Sequence, residues 1–434
     1  MPLPKVLICG QAFNHSSGGG ITLSNLFNGW KKDKIAVAAT GHMLSDANSD
    51  ICDTYYQLGE KEHKWIFPFN HLQQNFPSGV LKINKSTKNN NHPHKAGIRK
   101  KLVEGVFYPL LKYFGLSNNT STITLSIEFR NWLNEFKPDI LYVQVCEREG
   151  ILFAQKLYSF LKIPMIVHNM DDWPSTISEK GLFKNYWNRK IDKEFRELLN
   201  KASLLLSISD AMATEYKNRY GKKFITFHNP INLEFWKQYQ RVNYDLNSSP
   251  QILYAGRTGP GVDTSLKLIA KAVKLVNEQL NMEIKFVLQT QKKLSWFQEY
   301  NCVKHTPFIP YSELPKKFAE ADFLILPYDF SKESINFIKY SMPTKGPEYM
   351  ISGTPIIIFA PESTAIVKYA QECKWAKVIT NNSYSELAKS IMFLIQNKSA
   401  RETIALNAKK IGEKNHNSIS VTNSFKEAII SLRK

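Results

Sequence analysis

Short apolar runs, often rich in β-branched residues, alternate with helical segments along most of the chain. The strand-like runs of the first half are residues 5–10, 34–40, 139–145, 164–170, 203–209 and 223–228. Apolar residues recur with the 3.6-residue period of a helix in the segments between them, such as 126–136 and 150–161. Short, fully apolar strands alternating with helices predict a parallel sheet covered by helices on both faces.

The alternation stops at residues 233–250, which are polar and irregular, and we interpret this stretch as a linker. It then resumes with strand-like runs at 251–256, 283–289, 322–327, 355–359 and 376–380. The fold predicted is therefore α/β, with two Rossmann-like, doubly wound domains at 1–232 and 250–415. We expect the C-terminal helix, 418–434, to pack back on the first domain. Ligands of open parallel sheets bind beyond the carboxyl ends of the strands, so a cleft between the two domains is expected.

The net charge of the chain indicates the kind of partner that it binds. The 434 residues include 57 Lys and Arg against 38 Asp and Glu, a formal net charge of +19. Such an excess favours an anionic partner, namely nucleic acid, an acidic membrane surface or phosphorylated substrates, although it also serves solubility. The five cysteines are scattered and odd in number, which argues against a disulfide scaffold or zinc site. With no apolar stretch near the roughly 18 residues of a membrane span, a cytoplasmic protein is expected.

Residues 60–120 form a basic insertion. Between 82 and 120 there are eight Lys or Arg and one acidic residue, Glu104. Residues 88–95 are predicted to form a loop, and 98–114 an amphipathic helix that Pro109 kinks or splits. Its apolar stripe fits either packing on the first domain or docking on a membrane surface. The apolar residues of this stripe are Ile98, Leu102, Val103, Val106, Phe107, Leu110, Leu111 and Phe114.

Two features of the first half point to chemistry. Gly18, Gly19 and Gly20 open a helix directly after the first strand, where backbone amides attract anions, although a flexible turn explains them equally well. His168 ends the strand at 164–170 and is followed by Asp171 and Asp172. A histidine at the cleft edge suggests a site, whereas two adjacent aspartates without a third partner make a poor metal site.

In the second half, Arg257 lies on a glycine-rich turn after the strand at 251–256. An arginine in that position can donate two hydrogen bonds to a phosphate, or it can simply be a surface residue. Lys345 and Glu348 lie three residues apart at the start of a short helix that ends at Gly353, before the strand at 355–359.

The order of these features resembles one family. After the glycine loop come SISDAMATEYKNRYG, HNPINLEFW, LYAGRTG, FIPYSELPKKFAEADFLILPY and PTKGPEYMISGTPIII. This series resembles the GT-B fold glycosyltransferases, above all the retaining family 4, often called group 1. The resemblance spans nearly the whole chain, is strongest over 203–360 and is absent over 60–120.

The resemblance implies roles for individual residues. Glu348 matches the second of two family glutamates and is expected to bind the ribose of a sugar nucleotide. The place of the first, on the donor sugar, is taken by Tyr340, which cannot act as a carboxylate. Thr344 and Lys345 fall where helix amides hold the diphosphate. Val262 replaces a usual lysine near Arg257, and we conjecture that Lys345 compensates. Gly256 and Phe308 are expected to complete the donor site, and Gly19 and Gly20 are expected to face the acceptor or the phosphate.

The function implied is transfer of a sugar, with retention and without an obligatory metal or other cofactor, from a nucleotide sugar to a glycan or lipid-linked acceptor in polysaccharide or glycoconjugate synthesis. Arg257 and Lys345 would stabilise the leaving diphosphate, and His168 would line the cleft. The expected location is cytoplasmic, at an anionic membrane surface. Nucleic acid is not expected, because the basic region lacks aromatic stacking motifs. The alternatives are another GT-B enzyme, such as a sugar-nucleotide epimerase, and a non-catalytic basic binding protein.

Overall fold

The computed structural model describes residues 3–67, 70, 75–81, 83, 108–176 and 181–433. Its contacts divide the chain into two compact units. The first unit comprises Met1–Phe227 and Thr422–Lys434, and the second comprises His228–Val421.

An eight-stranded sheet forms the centre of the described part of the first unit. Its strand order is β10-β9-β8-β7-β1-β2-β3-β5, and all neighbours are parallel except β5, which is antiparallel to β3. A separate antiparallel pair joins β4 to β6. The strands are β1 (Val6–Cys9), β2 (Ile35–Thr40), β3 (Tyr55–Leu58), β4 (His63–Trp65), β5 (Gly79–Leu81), β6 (Ser121–Ile123), β7 (Ile140–Val143), β8 (Met165–Asn169), β9 (Leu204–Ser207) and β10 (Ile225–Thr226).

The helices of this part of the chain lie between those strands. Several begin at serine N-caps, whose hydroxyls accept backbone amides of the first turn, as at Ser126 and Ser209. The helices are α1 (Gly18–Leu26), α2 (Gly41–Leu44), α3 (Tyr108–Tyr113), α4 (Ile127–Phe136), α5 (Arg148–Leu161), α6 (Trp173–Thr176), α7 (Lys184–Lys201) and α8 (Asp210–Tyr220).

A six-stranded parallel sheet, ordered β13-β12-β11-β14-β15-β16, forms the centre of the second unit. Apolar clusters cover both of its faces. Its strands are β11 (Gln251–Ala255), β12 (Lys285–Gln289), β13 (Val303–Thr306), β14 (Phe323–Pro327), β15 (Ile356–Phe359) and β16 (Lys377–Ile379). Its helices are α9 (Leu233–Lys237), α10 (Asp263–Leu280), α11 (Leu314–Glu320), α12 (Lys332–Ile338), α13 (Lys345–Ser352), α14 (Ala365–Cys373), α15 (Tyr384–Gln396) and α16 (Lys398–His416).

The last helix, α17 (Ser418–Ile430), carries the chain back into the first unit. Its Phe425 is fully buried, with its ring centroid 5.1 Å from that of Phe27 and 5.2 Å from that of Phe227. Edge-to-face aromatic contacts of this kind add to the free energy of apolar burial. The second unit is therefore inserted, in sequence, between β10 and α17.

The predicted fold class is confirmed, since each apolar run proposed as a strand forms one and the two sheets are covered by helices. The pattern missed β3, β4, β5, β6 and β13. All but β3 and β13 are only three residues long, and the strands of the β4–β6 pair lie outside the main sheet. In β3, Gln57 interrupts the apolar run, yet it is buried because its side-chain amide donates to the carbonyl of Pro77.

The interpretation of residues 233–250 as a linker is wrong. The segment begins with α9, and Trp236 is fully buried in the second unit. The side chain of Gln240 and the amide of Arg241 donate to the carbonyls of Ile351 and Ser352, the last residues of α13. Polar residues that bind helix-terminal carbonyls have no apolar period, so the sequence pattern alone could not distinguish them from a free connection.

Asp322, which has no exposed side-chain surface, fixes this segment to the sheet. Its carboxylate accepts hydrogen bonds from the Arg241 guanidinium at 3.0 Å, the Asn247 amide at 3.0 Å and the Gln251 amide at 2.8 Å. Arg241 also donates to the carbonyl of Ala321 at 2.6 Å. A buried carboxylate with several donors is a satisfied charge, which is costly to remove on one side only.

Much of the basic insertion lies outside the described residues. Residues 84–107 are among those left out, and they contain the predicted loop and most of the predicted helix. Helix α3 is described from Tyr108, with Pro109 as its second described residue. Of the predicted apolar stripe, Leu111 is buried, whereas Leu110 and Phe114 are exposed.

We expect Asp322→Ala to lower the free energy of unfolding by about 3 kcal/mol or more, because it removes the buried charge that neutralises the Arg241 guanidinium and the acceptor of two backbone amides. Urea unfolding followed by tryptophan fluorescence measures this change. The matched control is Asp245→Ala, which removes an exposed carboxylate paired with Lys398 on the same segment and should change stability little. Equal midpoints for the two variants would contradict this role of Asp322.

Candidate active site

The candidate site lies at the start of α13, beyond the carboxyl end of β11. Helix α13 begins at Lys345 and ends at Gly353, whose positive φ of 77° makes it the C-cap. A side chain at Gly353 would lie 2.6 Å from the carbonyl oxygen of Arg241, so glycine is required there on both grounds. The short helix predicted from the sequence is thus present, with Lys345 and Glu348 in its first turn.

The ammonium group of Lys345 occupies the space that a side chain at Gly256 would fill. A Cβ atom at Gly256 would lie 2.3 Å from Lys345 Nζ and 2.5 Å from the Tyr254 hydroxyl. Lys345 Nζ lies 5.4 Å from the centroid of the Tyr254 ring, a cation–π distance. The Tyr254 hydroxyl donates to the Arg257 carbonyl at 2.6 Å and so fixes the turn after β11. Gly256 is therefore needed for the approach of a cation as well as for the turn.

Glu348 is buried beside this cation. The Tyr311 hydroxyl donates to Glu348 Oε1 at 3.2 Å, and the ring of Phe235 stacks on Tyr311 at 5.4 Å. Burial raises the pKa of Glu348 to about 7, against the attraction of Lys345. Burial also lowers the pKa of Lys345 to about 8, with Glu348 acting in the opposite direction. Both groups can therefore change protonation near neutral pH when a charged ligand arrives.

Arg257 is exposed on the turn after β11, with its guanidinium donating to the carbonyl of Pro260 at 2.8 Å. Its charge is close enough to Lys345 to disfavour protonation of that lysine. Val262, the residue in place of a family lysine, is the N-cap of α10 and is buried in the apolar core. Arg257 and Lys345 are thus two cations close to each other at this turn, and the conjecture that Lys345 compensates for Val262 stays a prediction.

The other residues predicted in the second unit have different surroundings. Thr344 precedes α13, its side chain does not cap the helix, and its carbonyl accepts a hydrogen bond from Asn229 at 3.2 Å. Tyr340 is buried, with the Lys339 ammonium 5.0 Å from its ring centroid. Phe308 is exposed on the segment between β13 and Tyr311. The structure thus brings Gly256, Arg257, Thr344, Lys345 and Glu348 together, and their assigned roles stay predictions.

His168 lies in the first unit, at the end of β8, and its position differs from the exposed edge that we expected. Its side chain is fully buried, and Nδ1 shares a hydrogen bond with the Tyr142 hydroxyl. Burial lowers the pKa of His168 to about 3, so the ring is neutral at physiological pH. Nε2 has no hydrogen-bond partner among the described residues. The position of His168 near the end of a strand was predictable from the sequence, whereas its hydrogen bond to a tyrosine 26 residues earlier was not.

Gly19 and Gly20 lie in the first turn of α1, as the sequence predicts. Several amides around this helix start have partners within the chain. Asn14 Oδ1 accepts from the amides of Ser16 and Ser17, and the Ser17 hydroxyl accepts from Gly20. A Cβ atom at Gly20 would lie 2.3 Å from the Asn14 side chain. Gly20 is therefore explained by close packing against Asn14, and its predicted part in ligand binding stays a prediction.

A metal ion has no evident ligand set in the part of the chain that the structure describes, where no three His, Cys, Asp or Glu side chains cluster suitably. Asp172 instead accepts hydrogen bonds from Tyr216 at 2.9 Å and from Arg219 at 2.9 and 3.1 Å. Sequence analysis missed Tyr311 as a partner of Glu348. It lies within a quoted motif, but a contact across 37 residues leaves no local signal.

We expect Glu348→Gln to stabilise the ligand-free protein above pH 7 relative to the unmodified chain. The protonated carboxyl favours the folded state, because the pKa of Glu348 is higher in the folded chain than in the unfolded chain. The unmodified protein should therefore lose stability between about pH 4.5 and 7, by roughly 3 kcal/mol, whereas the variant should not. Urea unfolding at pH 5 and pH 7.5 measures the difference, with the exposed Glu278→Gln as control. Parallel pH profiles for the unmodified protein and Glu348→Gln would show that burial does not shift the pKa of Glu348.

Comparisons with known proteins agree with this architecture. Residues 87–235 match the family model described as Glycosyltransferase Family 4. No curated protein sequence is significantly similar to the chain.

Three solved structures illustrate the similarity of fold. HepE of Anabaena, solved in complex with UDP, is 14% identical, with a TM-score of 0.61 over 98% of this chain and 100% of that one. Sucrose-phosphate synthase from Thermosynechococcus elongatus is 12% identical, with a TM-score of 0.61 over 98% of each chain. WaaG, a glycosyltransferase involved in lipopolysaccharide biosynthesis, is 13% identical, with a TM-score of 0.55 over 98% of this chain and 99% of that one. At this level of identity, the similarity to solved structures establishes the fold. That fold is GT-B, and the family match over residues 87–235 covers about a third of the chain.

Proposed function

We propose that the chain transfers a glycosyl group from a nucleoside diphosphate sugar, bound by the second unit, to a hydroxyl of a glycan or lipid-linked acceptor. The observation that carries this proposal is the convergence of Lys345, Arg257 and the start of α13 beyond the carboxyl end of β11. Two cationic side chains and a helix N-terminus favour an anion of more than one charge. A diphosphate has that charge and that size.

The transfer asks for stabilisation of the leaving group. The bond between the anomeric carbon and the diphosphate oxygen breaks, the acceptor oxygen bonds to that carbon, and the hydroxyl proton leaves with the diphosphate. Negative charge grows on the diphosphate as the bond breaks, so fixed positive charge lowers the barrier. Lys345 suits this task because its depressed pKa returns towards the ordinary value when an anion binds beside it.

Glu348 is suited to bind the ribose of the donor. A carboxylate can accept hydrogen bonds from two neighbouring hydroxyls, and Tyr311 holds one of its oxygens at 3.2 Å. Similar solved structures support a nucleoside diphosphate donor, since HepE was solved with UDP and with UDP-glucose. Retention of anomeric configuration is proposed from the resemblance to family 4 and from the match over residues 87–235.

The acceptor is proposed to bind the first unit. An apolar cavity lies there at the carboxyl ends of β1, β2, β3 and β7, and Gln144 and Glu147 supply polar groups at its wall. A cavity of this composition suits a partly apolar acceptor. Its apolar lining includes Met43, Leu58, Ile123, Val143, Val145 and Phe153.

We further propose that the first unit docks on an anionic membrane to reach a lipid-linked acceptor. Six large side chains exposed on neighbouring elements, which we call the aromatic surface, support this idea. These elements are neighbours in space, as the hydrogen bond from the amide of Leu182 to the carbonyl of Tyr113, at 2.8 Å, shows. Exposed apolar side chains grouped in this way are typical of interaction sites. The aromatic surface comprises Tyr113, Phe114, Leu116, Leu182, Phe183 and Tyr186.

Charge favours a lipid partner for the aromatic surface. Residues 108–123 and 181–191 contain no acidic residue, and Lys184 and Arg189 are exposed beside it. Amphipathic aromatic rings lie at the level of lipid headgroups, and each cation near an anionic bilayer contributes roughly 1 kcal/mol. In the parts of the chain that the structure describes, no helix is sufficiently long and apolar to span a bilayer.

We expect Lys345→Ala and Arg257→Ala each to lower kcat by at least about tenfold while weakening donor binding less. Their charges should matter most when the leaving diphosphate gains charge in the transition state. Release of nucleoside diphosphate from a panel of nucleotide sugars, with and without a glycan acceptor, measures kcat and KM. Lys267→Ala, which removes an exposed cation of the second unit that is paired with Glu299, is the control. A rise in KM alone would assign the two residues to uniform substrate binding.

Sedimentation with vesicles tests the membrane proposal. We expect the protein to bind anionic vesicles at low salt, to detach as salt rises, and to bind neutral vesicles weakly. The double variant Leu182→Ser, Phe183→Ser should reduce binding severalfold, whereas Leu406→Ser, which removes an equally exposed apolar side chain from the second unit, should not. Equal binding to neutral and anionic vesicles would overturn the electrostatic part, and unchanged binding by the double variant would exclude the aromatic surface.

A further inference from the structure

Two polar residues end neighbouring strands of the second sheet and have no role in the site described above. Gln289 is the last residue of β12 and Thr306 the last of β13. The strand register pairs Ala255 with Gln289 and Gln289 with Thr306, so the three residues lie side by side at the carboxyl edge. The amide of Gly256 donates to the carbonyl of Gln289 at 3.0 Å, which joins this edge to the turn that holds Lys345.

The register also fixes the face of the sheet on which these side chains lie. Side chains two residues apart on a strand share a face. Val287 and Ala255 belong to the apolar cluster that includes Tyr349 of α13, whereas Phe286 and Leu288 belong to the cluster on the opposite face. Gln289 and Thr306 therefore lie on the face covered by α13, the helix that carries Glu348.

The polar atoms of these two side chains are buried without partners. Gln289 is 1% exposed, and neither Oε1 nor Nε2 has a hydrogen-bond partner among the described residues. The hydroxyl oxygen of Thr306, Oγ1, is also buried and has no hydrogen-bond partner among the described residues. An unpaired buried amide costs free energy, and native proteins pair nearly all such groups. At the carboxyl edge of a sheet, where ligands bind, this free energy is recovered when a ligand supplies the missing hydrogen-bond partners.

An aromatic pair lies on the same side of the sheet. The segment after Thr306 leads within five residues to Tyr311, whose ring lies parallel to that of Phe235 at an angle of 6° and whose hydroxyl binds Glu348. A planar ligand group beyond a ribose held by Glu348 would thus meet aromatic and amide groups together. Nucleobases are planar and carry hydrogen-bond donors and acceptors at their edges.

We propose that Gln289, with Thr306, recognises the base of the donor nucleotide. This inference rests on the proposed function and deepens it. The carboxamide presents one donor and one acceptor side by side, which match the adjacent N–H and C=O of a base edge such as that of uracil or guanine. A site built to bind such an edge rejects a base that lacks it, because buried polar groups would then stay unpaired.

The test compares Gln289→Leu with the unmodified protein in affinity and in stability. Isothermal titration with UDP, GDP, CDP, ADP and inorganic pyrophosphate should show a preferred nucleotide for the unmodified protein. In the variant, the affinity for that nucleotide should fall about tenfold, so that the affinities for the four nucleotides become more similar. The affinity for pyrophosphate should not change. The melting temperature should stay equal or rise, since no hydrogen bond of the free protein is lost. Gln291→Leu, the same change at an exposed position two residues on, is the matched control.

Thr306→Val provides a second, isosteric variant with the same expected loss of base preference and the same preserved stability. Unchanged affinity and base preference in both variants would overturn the inference, and so would a loss of stability equal in size to the loss of affinity. If nucleotide binding is lost in Lys345→Ala but normal in Gln289→Leu, the base assignment fails while the proposed donor site stands. Failure of the unmodified protein to bind any nucleoside diphosphate would overturn both.

Discussion

The site depends on the burial of two opposite charges, Lys345 and Glu348, in the first turn of one short helix. Burial disfavours the charged form of each, and their mutual attraction offsets only part of that cost, as the raised pKa of one and the lowered pKa of the other show. The surroundings reduce the cost in specific ways. Tyr254 offers its ring face to the ammonium, Gly256 leaves room for that ammonium, and Tyr311 donates to the carboxylate. The part of this cost that falls on Lys345 is what an anionic ligand can relieve.

Holding these charges in place requires that α13 be fixed at both ends. At its start, the Asn229 side chain binds the carbonyl of Thr344, and at its end Gln240 and Arg241 bind the last carbonyls. In between, the Tyr349 hydroxyl accepts a hydrogen bond from the amide of Ala255 in β11. A helix tied to the sheet and to the segment before it loses little further freedom when a ligand binds, which favours affinity. The polar segment at 233–250 therefore helps to hold α13, and with it the candidate site, in place.

The sequence was most informative where burial is complete. Strands such as β1 and β15 are enclosed on both faces, so their apolar runs predicted the two sheets directly. The short strands β4, β5 and β6 were missed because partial exposure removes that signal. In the site, Lys345, Glu348 and Gly256 could be assigned from motif order. The pairing of Tyr311 with Glu348, and the unpartnered state of Gln289, depend on contacts between distant parts of the chain, which no local pattern encodes. His168 illustrates the same limit, since its strand-end position was predictable and its burial beneath Tyr142 was not.

The departures from the family pattern are consistent with the conjecture that a different element of the same fold carries the charge. Val262 is buried in the core below α10, and Tyr340 is buried before α13, so neither position presents a charge to a ligand. Electrostatic interaction depends on distance and burial, and it is indifferent to which strand or helix supplies the group. A lysine that extends from α13 to Gly256 places its charge beside the turn of β11, close to Arg257. The apolar pattern that builds the sheets and the few charges that serve the site can thus vary separately, which is consistent with a shared fold at 12–14% identity.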